Sequence, residues 1–128
     1  MTKATTVSVT SVHRPLGYSH AVRVGDFLFL AGQVARDVDG QIIGKGDIAA
    51  QADQVFANIK GVLEDAGSSL DNVVKLTTFA TDARFLGPIA ESRKRFFGEY
   101  LPPNTFVVIH ALALPDFLLE IEAVAVVG

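Results

Sequence analysis

From Asp47 to Ala66 the apolar residues Ile48, Ala52, Val55, Phe56, Ile59, Val62, Leu63 and Ala66 recur at intervals of three and four. That period marks one face of an amphipathic helix. It is the strongest constraint in the chain, because an apolar stripe this long has to be covered by another layer. Asp47 stands where an N-cap belongs, and Gly67 is a C-terminal stop. The other segments are mostly strand-like. "AVRVGDFLFLAG" reads as two short strands joined at Gly25-Asp26, with a further turn at Asp39-Gly40, and "NVVKLTTFATD" reads as a strand rich in β-branched residues. A second helix is expected from about Pro88 to Phe97, with proline in its first turn and Gly98 past its end. On its exposed side Glu91 and Arg95 are spaced to pair.

"NTFVVIHALAL", a turn at Pro115-Asp116 and "LLEIEAVAVVG" complete the chain, and the last two strands are expected to form a hairpin. His110 is expected as a partly buried strand residue. In the closing strand Leu119, Ile121, Ala123, Ala125 and Val127 share one face. The other face carries Glu120 and Glu122 beside Val124 and Val126, two carboxylates in an otherwise apolar run. The order strands, helix, strand, helix, strands gives a single α+β domain over residues 1–128 with a mostly antiparallel sheet.

A chain of 128 residues with 49% hydrophobic and 20% charged residues is apolar for its size. Part of that excess is expected beneath a subunit interface, since monomers seldom expose large apolar patches. The net charge of −3 argues against nucleic acid as the main partner. The absence of cysteine excludes disulfides, thiolate metal sites and a Cys nucleophile. His13, His20 and His110 show no metal-ligand spacing, and no Gly-rich phosphate loop precedes a helix. No metal or cofactor is expected. No stretch reaches the length of a membrane span and the opening "MTKATTVSV" has no hydrophobic signal core, so a cytoplasmic location is the expectation.

The segments "GYSHAV" (17–22), "GDFLFLAGQV" (25–34), "GDIAAQADQVFANIKGVLEDAGSSLDNVVKLTTFATD" (46–82), "RFFGEYLPPNT" (95–105) and "LLEIEAVAV" (118–126) together resemble the Rid family. These are the reactive intermediate deaminases, also called YjgF or L-PSP endoribonuclease-like proteins. The resemblance implies a chorismate-mutase-like α+β subunit with two helices on one face of the sheet. It also implies a homotrimer, with small-molecule clefts between subunits. Some members hydrolyse enamines and imines to ketoacids and ammonia without metal or cofactor. The family's deaminases carry a carboxylate-gripping arginine in a P-x-R-[ST] pattern, where this chain has Asn104 before Thr105. Ala90 and Ala31 stand where those enzymes have an asparagine and a serine. Tyr18, Gly32, Gln33 and Glu120 are retained.

On that resemblance Glu120 is the candidate catalytic residue. A carboxyl group in an apolar cleft has its pKa raised toward neutrality, where it both donates and accepts protons. The alternative is a structural carboxylate satisfied by backbone N–H groups or an arginine. Glu122 is read as structural, paired across the trimer. The candidate substrate-binding residues are Tyr18, His20, Gly32, Gln33, Asn104, Thr105 and Phe106. Tyr18 would wall the cleft, and His20 would hydrogen-bond rather than act as a base. Asn104 either faces ligand as a neutral group or caps a turn. Arg84, Arg93, Lys94 and Arg95 read as a solvated helix face paired to Glu91 and Glu99 more readily than as an RNA-facing patch. Phe96 and Phe97 fall at core spacing. Two functions stand open: a hydrolase for an atypical imine or enamine, and a metabolite-binding trimer without chemistry. An endoribonuclease is a weaker third.

Overall fold

The computed structural model describes residues 3–128. Its strands are β1 (Thr5–Thr6), β2 (Ala21–Val24), β3 (Phe27–Gln33), β4 (Val73–Ala80), β5 (Asn104–Val108) and β6 (Leu119–Val126). Its helices are α1 (Ile48–Asp65) and α2 (Leu86–Phe97), and short 3₁₀ turns occupy Leu70–Asn72 and Ala83–Phe85. The strands form one sheet in the order β1-β2-β3-β6-β4-β5, with every pairing antiparallel except β4 with β5.

The local signals act as their chemistry dictates. Val24 pairs with Phe27 around Gly25, whose φ of +60° is open to glycine at little cost. The Asp47 side chain accepts from the Ala50 N–H at 3.1 Å and starts α1. At the other end Ser68 N–H donates to Leu63 C=O at 2.8 Å, beyond Gly67 at φ +78°, so the last carbonyls are satisfied by a left-handed reversal. α2 begins at Leu86, two residues before the expected start, and still holds Pro88 in its first turn, where a missing N–H costs nothing.

The closing strands do not form a hairpin. β5 runs parallel to β4, with Leu76 opposite Asn104 and Ala80 opposite Val108, and β6 lies on the other side of β4. The cause is α2. A helix between β4 and β5 returns the chain to the end of the sheet from which β4 started, and that return gives a parallel pair. His110 is accordingly exposed in the loop after β5, outside any strand.

Alternation sorts the sheet into two faces. Leu28, Leu30, Leu76, Leu119, Ile121, Ala123 and Ala125 are buried toward the helices. α1 packs on β6 and β3, and α2 packs along α1. Phe56 is fully buried between the helices, its ring centroid 5.8 Å from Phe96 and 6.0 Å from Phe97. Burying a phenylalanine contributes about 1.5–3 kcal/mol. Arg95 does not pair with Glu91. It donates to Asp53 of α1 at 2.7 Å, and Ser92 Oγ donates to the same carboxylate at 2.5 Å, so the two helices are tied by one shared acceptor.

Among the described residues no layer covers the opposite face. Phe27 and Phe29 are 48% and 47% exposed there, on the same side as Lys75, Thr77, Val107, Glu120 and Glu122. Glu122 is exposed and makes no ion pair among the described residues. Among those residues no helix is long and apolar enough to cross a membrane.

Candidate active site

The carboxylate face of β6 meets an irregularity in its neighbour. Between Leu30 and Gln33 the β3–β6 register slips, so that three steps on β3 match two on β6. Such a bulge disrupts the ladder locally and re-aims side chains. Here it places Gly32 under Glu120. A β-carbon at position 32 would stand 2.1 Å from Glu120 Oε2, so only glycine leaves the carboxyl group room. Glu120 is partly buried. Burial, reinforced by the negative charge of Glu122, raises its pKa above the ordinary carboxylate value.

A cavity of about 460 Å³ opens beside this carboxyl group. Gly32 and Ala31 form its β3 wall, Tyr18 and His13 come from the segment before β2, Arg36 from the segment after β3, and Phe117 from the approach to β6. The Tyr18 hydroxyl shares a hydrogen bond of 3.2 Å with His13 Nε2. Burial raises the Tyr18 pKa, and Arg36 partly offsets it. Burial likewise lowers the His13 pKa, and the Arg36 charge acts in the same direction.

Of the residues singled out in the sequence, Glu120, Gly32 and Tyr18 line this cavity. His20 and Gln33 do not. His20 is 2% exposed, donating from Nε2 to His13 C=O at 2.7 Å and accepting at Nδ1 from Gln33 Nε2 at 3.0 Å. Both ring nitrogens are committed, so His20 braces the His13–Tyr18 segment from below and offers nothing to a ligand. Gln33 is wholly buried in the same bracing, its Nε2 also 3.3 Å from Ala31 C=O. These two substrate-binding assignments become supporting ones.

Asn104, Thr105 and Phe106 also lie outside the cavity of a single chain. They sit on β5, separated from β6 by β4, and it is Val107 that lies beside Phe79, the residue opposite Glu120. Asn104 Oδ1 accepts from Thr78 Oγ1 at 2.8 Å, and Thr105 Oγ1 accepts from Lys75 Nζ at 2.6 Å. Phe106 points to the helix side and packs against the core. Within one chain their roles are structural.

Four residues that the sequence reading missed hold the site together. Gln51 of α1 is fully buried; its Nε2 donates to Asp116 C=O at 2.7 Å and Gly44 C=O at 3.1 Å, and its Oε1 accepts from Leu118 N–H at 2.9 Å. It therefore clamps the loop that delivers Phe117 and Glu120. Asn58, two turns further along α1, donates to Val34 C=O at 3.0 Å and Arg36 C=O at 2.9 Å, fixing the segment after β3. In the sequence His13 shows only as a histidine without metal-ligand spacing, and Arg36 carries no local signal. The available signal was the pair Gln51 and Asn58, amides seven residues apart within the buried stripe of α1. A buried amide needs partners, and loops supply unpaired backbone groups.

Two members of the basic cluster, Arg84 and Arg95, form ion pairs, and with other partners than expected. Arg84 binds Asp82 through Nε and a terminal nitrogen, which lowers the Asp82 pKa to about 2, and Arg95 binds Asp53. Among the described residues no three His, Asp or Glu side chains converge as metal ligands.

Comparison with known proteins agrees with this architecture. The family model for endoribonuclease L-PSP matches residues 11–127. The chain belongs to that family, which includes the YjgF, RutC and Rid proteins. It is 42% identical over 113 residues to a RutC family protein of Pyrococcus abyssi, covering 88% of each chain. It is 32% identical to the mouse 2-iminobutanoate/2-iminopropanoate deaminase, over 95% of this chain and 90% of that one. The crystal structure of E. coli TdcF with bound serine superposes with a TM-score of 0.88 at 30% identity, covering 97% of this chain and 99% of that one. The family fold, two helices on a mixed and mostly antiparallel sheet, is thus that of this protein.

Proposed function

We propose that this protein is a hydrolase of small imines or enamines, working in homotrimers whose neighbouring subunits complete the cavity at Glu120. The observation that carries the reading is the Glu120 carboxyl group, held over Gly32 at the mouth of a cavity with its pKa raised by burial. Relatives named 2-iminobutanoate/2-iminopropanoate deaminase, and a structural neighbour holding serine, support it by similarity. The uncovered face with Phe27 and Phe29 supports an assembly, because so much exposed apolar surface next to a polar site is what a subunit interface leaves on a single chain.

The chemistry follows from the acid. The protonated Glu120 gives its proton to the nitrogen of C=N (or to the β-carbon of an enamine), making the imine carbon electrophilic. The resulting carboxylate takes a proton from water as the oxygen bonds to that carbon, giving a carbinolamine. Glu120 then returns the proton to nitrogen, the C–N bond breaks and ammonia leaves, and the hydroxyl proton passes to the Glu120 carboxylate as the carbonyl forms. Water is consumed, one ammonia is released, and the acid ends as it began.

Ammonia release from imines generated in situ by an amino-acid oxidase tests this, with acceleration over the spontaneous rate as the readout. No acceleration for any imine at high enzyme concentration contradicts it. A second reading, a trimer that binds a metabolite without converting it, is favoured by Asn104, whose carbonyl oxygen is engaged by Thr78 and which offers no guanidinium. Thermal stabilisation by a ligand that is recovered unchanged supports that reading instead.

A further inference from the structure

The cavity holds a cation that forms no ion pair among the described residues. Arg36 lines the same cavity as Glu120, yet the ion pairs among the described residues involve Arg23, Lys45, Arg84 and Arg95, and not Arg36. One terminal nitrogen donates to Gly40 C=O at 2.7 Å, and the guanidinium carbon lies 5.2 Å from the centre of the Phe117 ring. A cation–π contact and one backbone acceptor therefore hold the group in place while most of its donors stay unclaimed. The backbone beneath is equally fixed, through Asn58 to Arg36 C=O and through the bridge between Arg36 and Ile42. Asp37, the adjacent acid, accepts at Oδ1 from the N–H groups of Asp39 and Gln41 and makes no ion pair with Arg36. Glu120 reaches Gly32 instead, and makes no ion pair with Arg36.

A preorganised guanidinium without a counter-ion, partly withdrawn from water, is built to take an anion, and a planar carboxylate matches its fork. We propose that Arg36 is the specificity-determining residue of this site, gripping the carboxylate of a small ligand whose reacting end faces Glu120. The proposal rests on the functional reading above for the site, and adds the ligand's charge and its orientation. The anionic end lies toward the loop after β3, on the Arg36–Phe117 side of the cavity, and away from β5. The neighbouring cavity of about 400 Å³ shares His13, Tyr18 and Arg36 and is lined by both Arg14 and Asp39, so it adds room beyond Arg36 without a second net positive charge.

The test is binding, measured by ligand-observed NMR on the intact oligomer, with 2-oxobutanoate and its uncharged counterpart 2-oxobutanamide as probes. Wild type is expected to prefer the carboxylate by roughly 10-fold or more, the scale of a charge-assisted contact. Arg36→Gln is expected to abolish the preference. Arg36→Lys keeps the charge without the fork and should retain only part of it. Melting curves and oligomer mass of both variants guard against loss of fold, and the lysine variant keeps the question answerable if glutamine loosens the loop. A wild type that binds both probes alike or neither, or a preference that survives Arg36→Gln, overturns the proposal. So does a preference lost in Asn104→Ala and kept in Arg36→Gln. Carboxylate binding through Arg36 without acceleration of imine hydrolysis sinks the catalytic reading and leaves this one standing.

Discussion

The Glu120 carboxyl group occupies the space that a β-carbon on residue 32 would need, 2.1 Å from Oε2. Gly32 is therefore required for its lack of a side chain. Its backbone is not left-handed, so alanine fits the local conformation and the clash falls on the Glu120 side chain from Cγ outward. Gly32→Ala is expected to fold with a melting temperature within a few degrees of wild type. Imine hydrolysis should drop by roughly 10- to 100-fold, the scale of a misplaced catalytic group. Melting curves and ammonia release measured on one preparation check both halves.

The raised pKa of Glu120 has a sign that stability must follow. The folded protein holds the proton more tightly than the unfolded chain, so ionisation above the ordinary value of 4.5 works against the fold. Between that value and the folded pKa, wild-type stability declines as pH rises. Glu120→Gln cannot ionise and escapes the decline. Urea unfolding from pH 4 to pH 8 should show the variant gaining on wild type as pH increases. A constant difference would mean that the carboxyl group is not desolvated.

Gln51 makes three hydrogen bonds to backbone groups of the loops that present Phe117 and Glu120. Gln51→Leu leaves those groups without partners in a buried setting, at a cost of about 2–4 kcal/mol. Urea denaturation should show this loss. Hydrogen exchange should show faster exchange confined first to Asp116–Leu118, since that is the segment the amide holds.

Asp53 ties the helices together, its pKa lowered first by the Ser92 hydroxyl and further by Arg95. A depressed carboxyl pKa contributes stability above the unfolded value of 3.8 that is lost as pH falls through the folded pKa. Ser92→Ala is expected to cost about 1 kcal/mol at pH 7. The gap from wild type should narrow below pH 3.8 as Asp53 takes up its proton, which paired urea titrations at pH 7 and pH 3 can read.

How far the sequence disclosed this molecule depended on the range of each signal. The stripe from Ile48 to Ala66 and the Asp47 cap placed α1 because both act within a few residues. The alternation of Leu119 to Val126 placed the Glu120 face for the same reason. Pairing partners were less legible: nothing local to β5 says that α2 delivers it parallel to β4, so the expected hairpin did not form. The site shows the same division. Glu120, Gly32 and Tyr18 carry the family pattern in their own segments. Gln51, Asn58 and Arg36 matter through contacts tens of residues away in the chain, and His20 could be told from a ligand-facing histidine only once Gln33 and His13 C=O were seen on either side of it.

Everything chemical here depends on the proton carried by Glu120. The most direct measurement is kcat/KM for hydrolysis of an in situ generated imine by wild type and by Glu120→Gln, with oligomer mass and melting temperature matched. The account predicts a loss of roughly 100- to 10,000-fold in the variant, the range of a lost general acid–base group. Equal rates for the two folded proteins would contradict it.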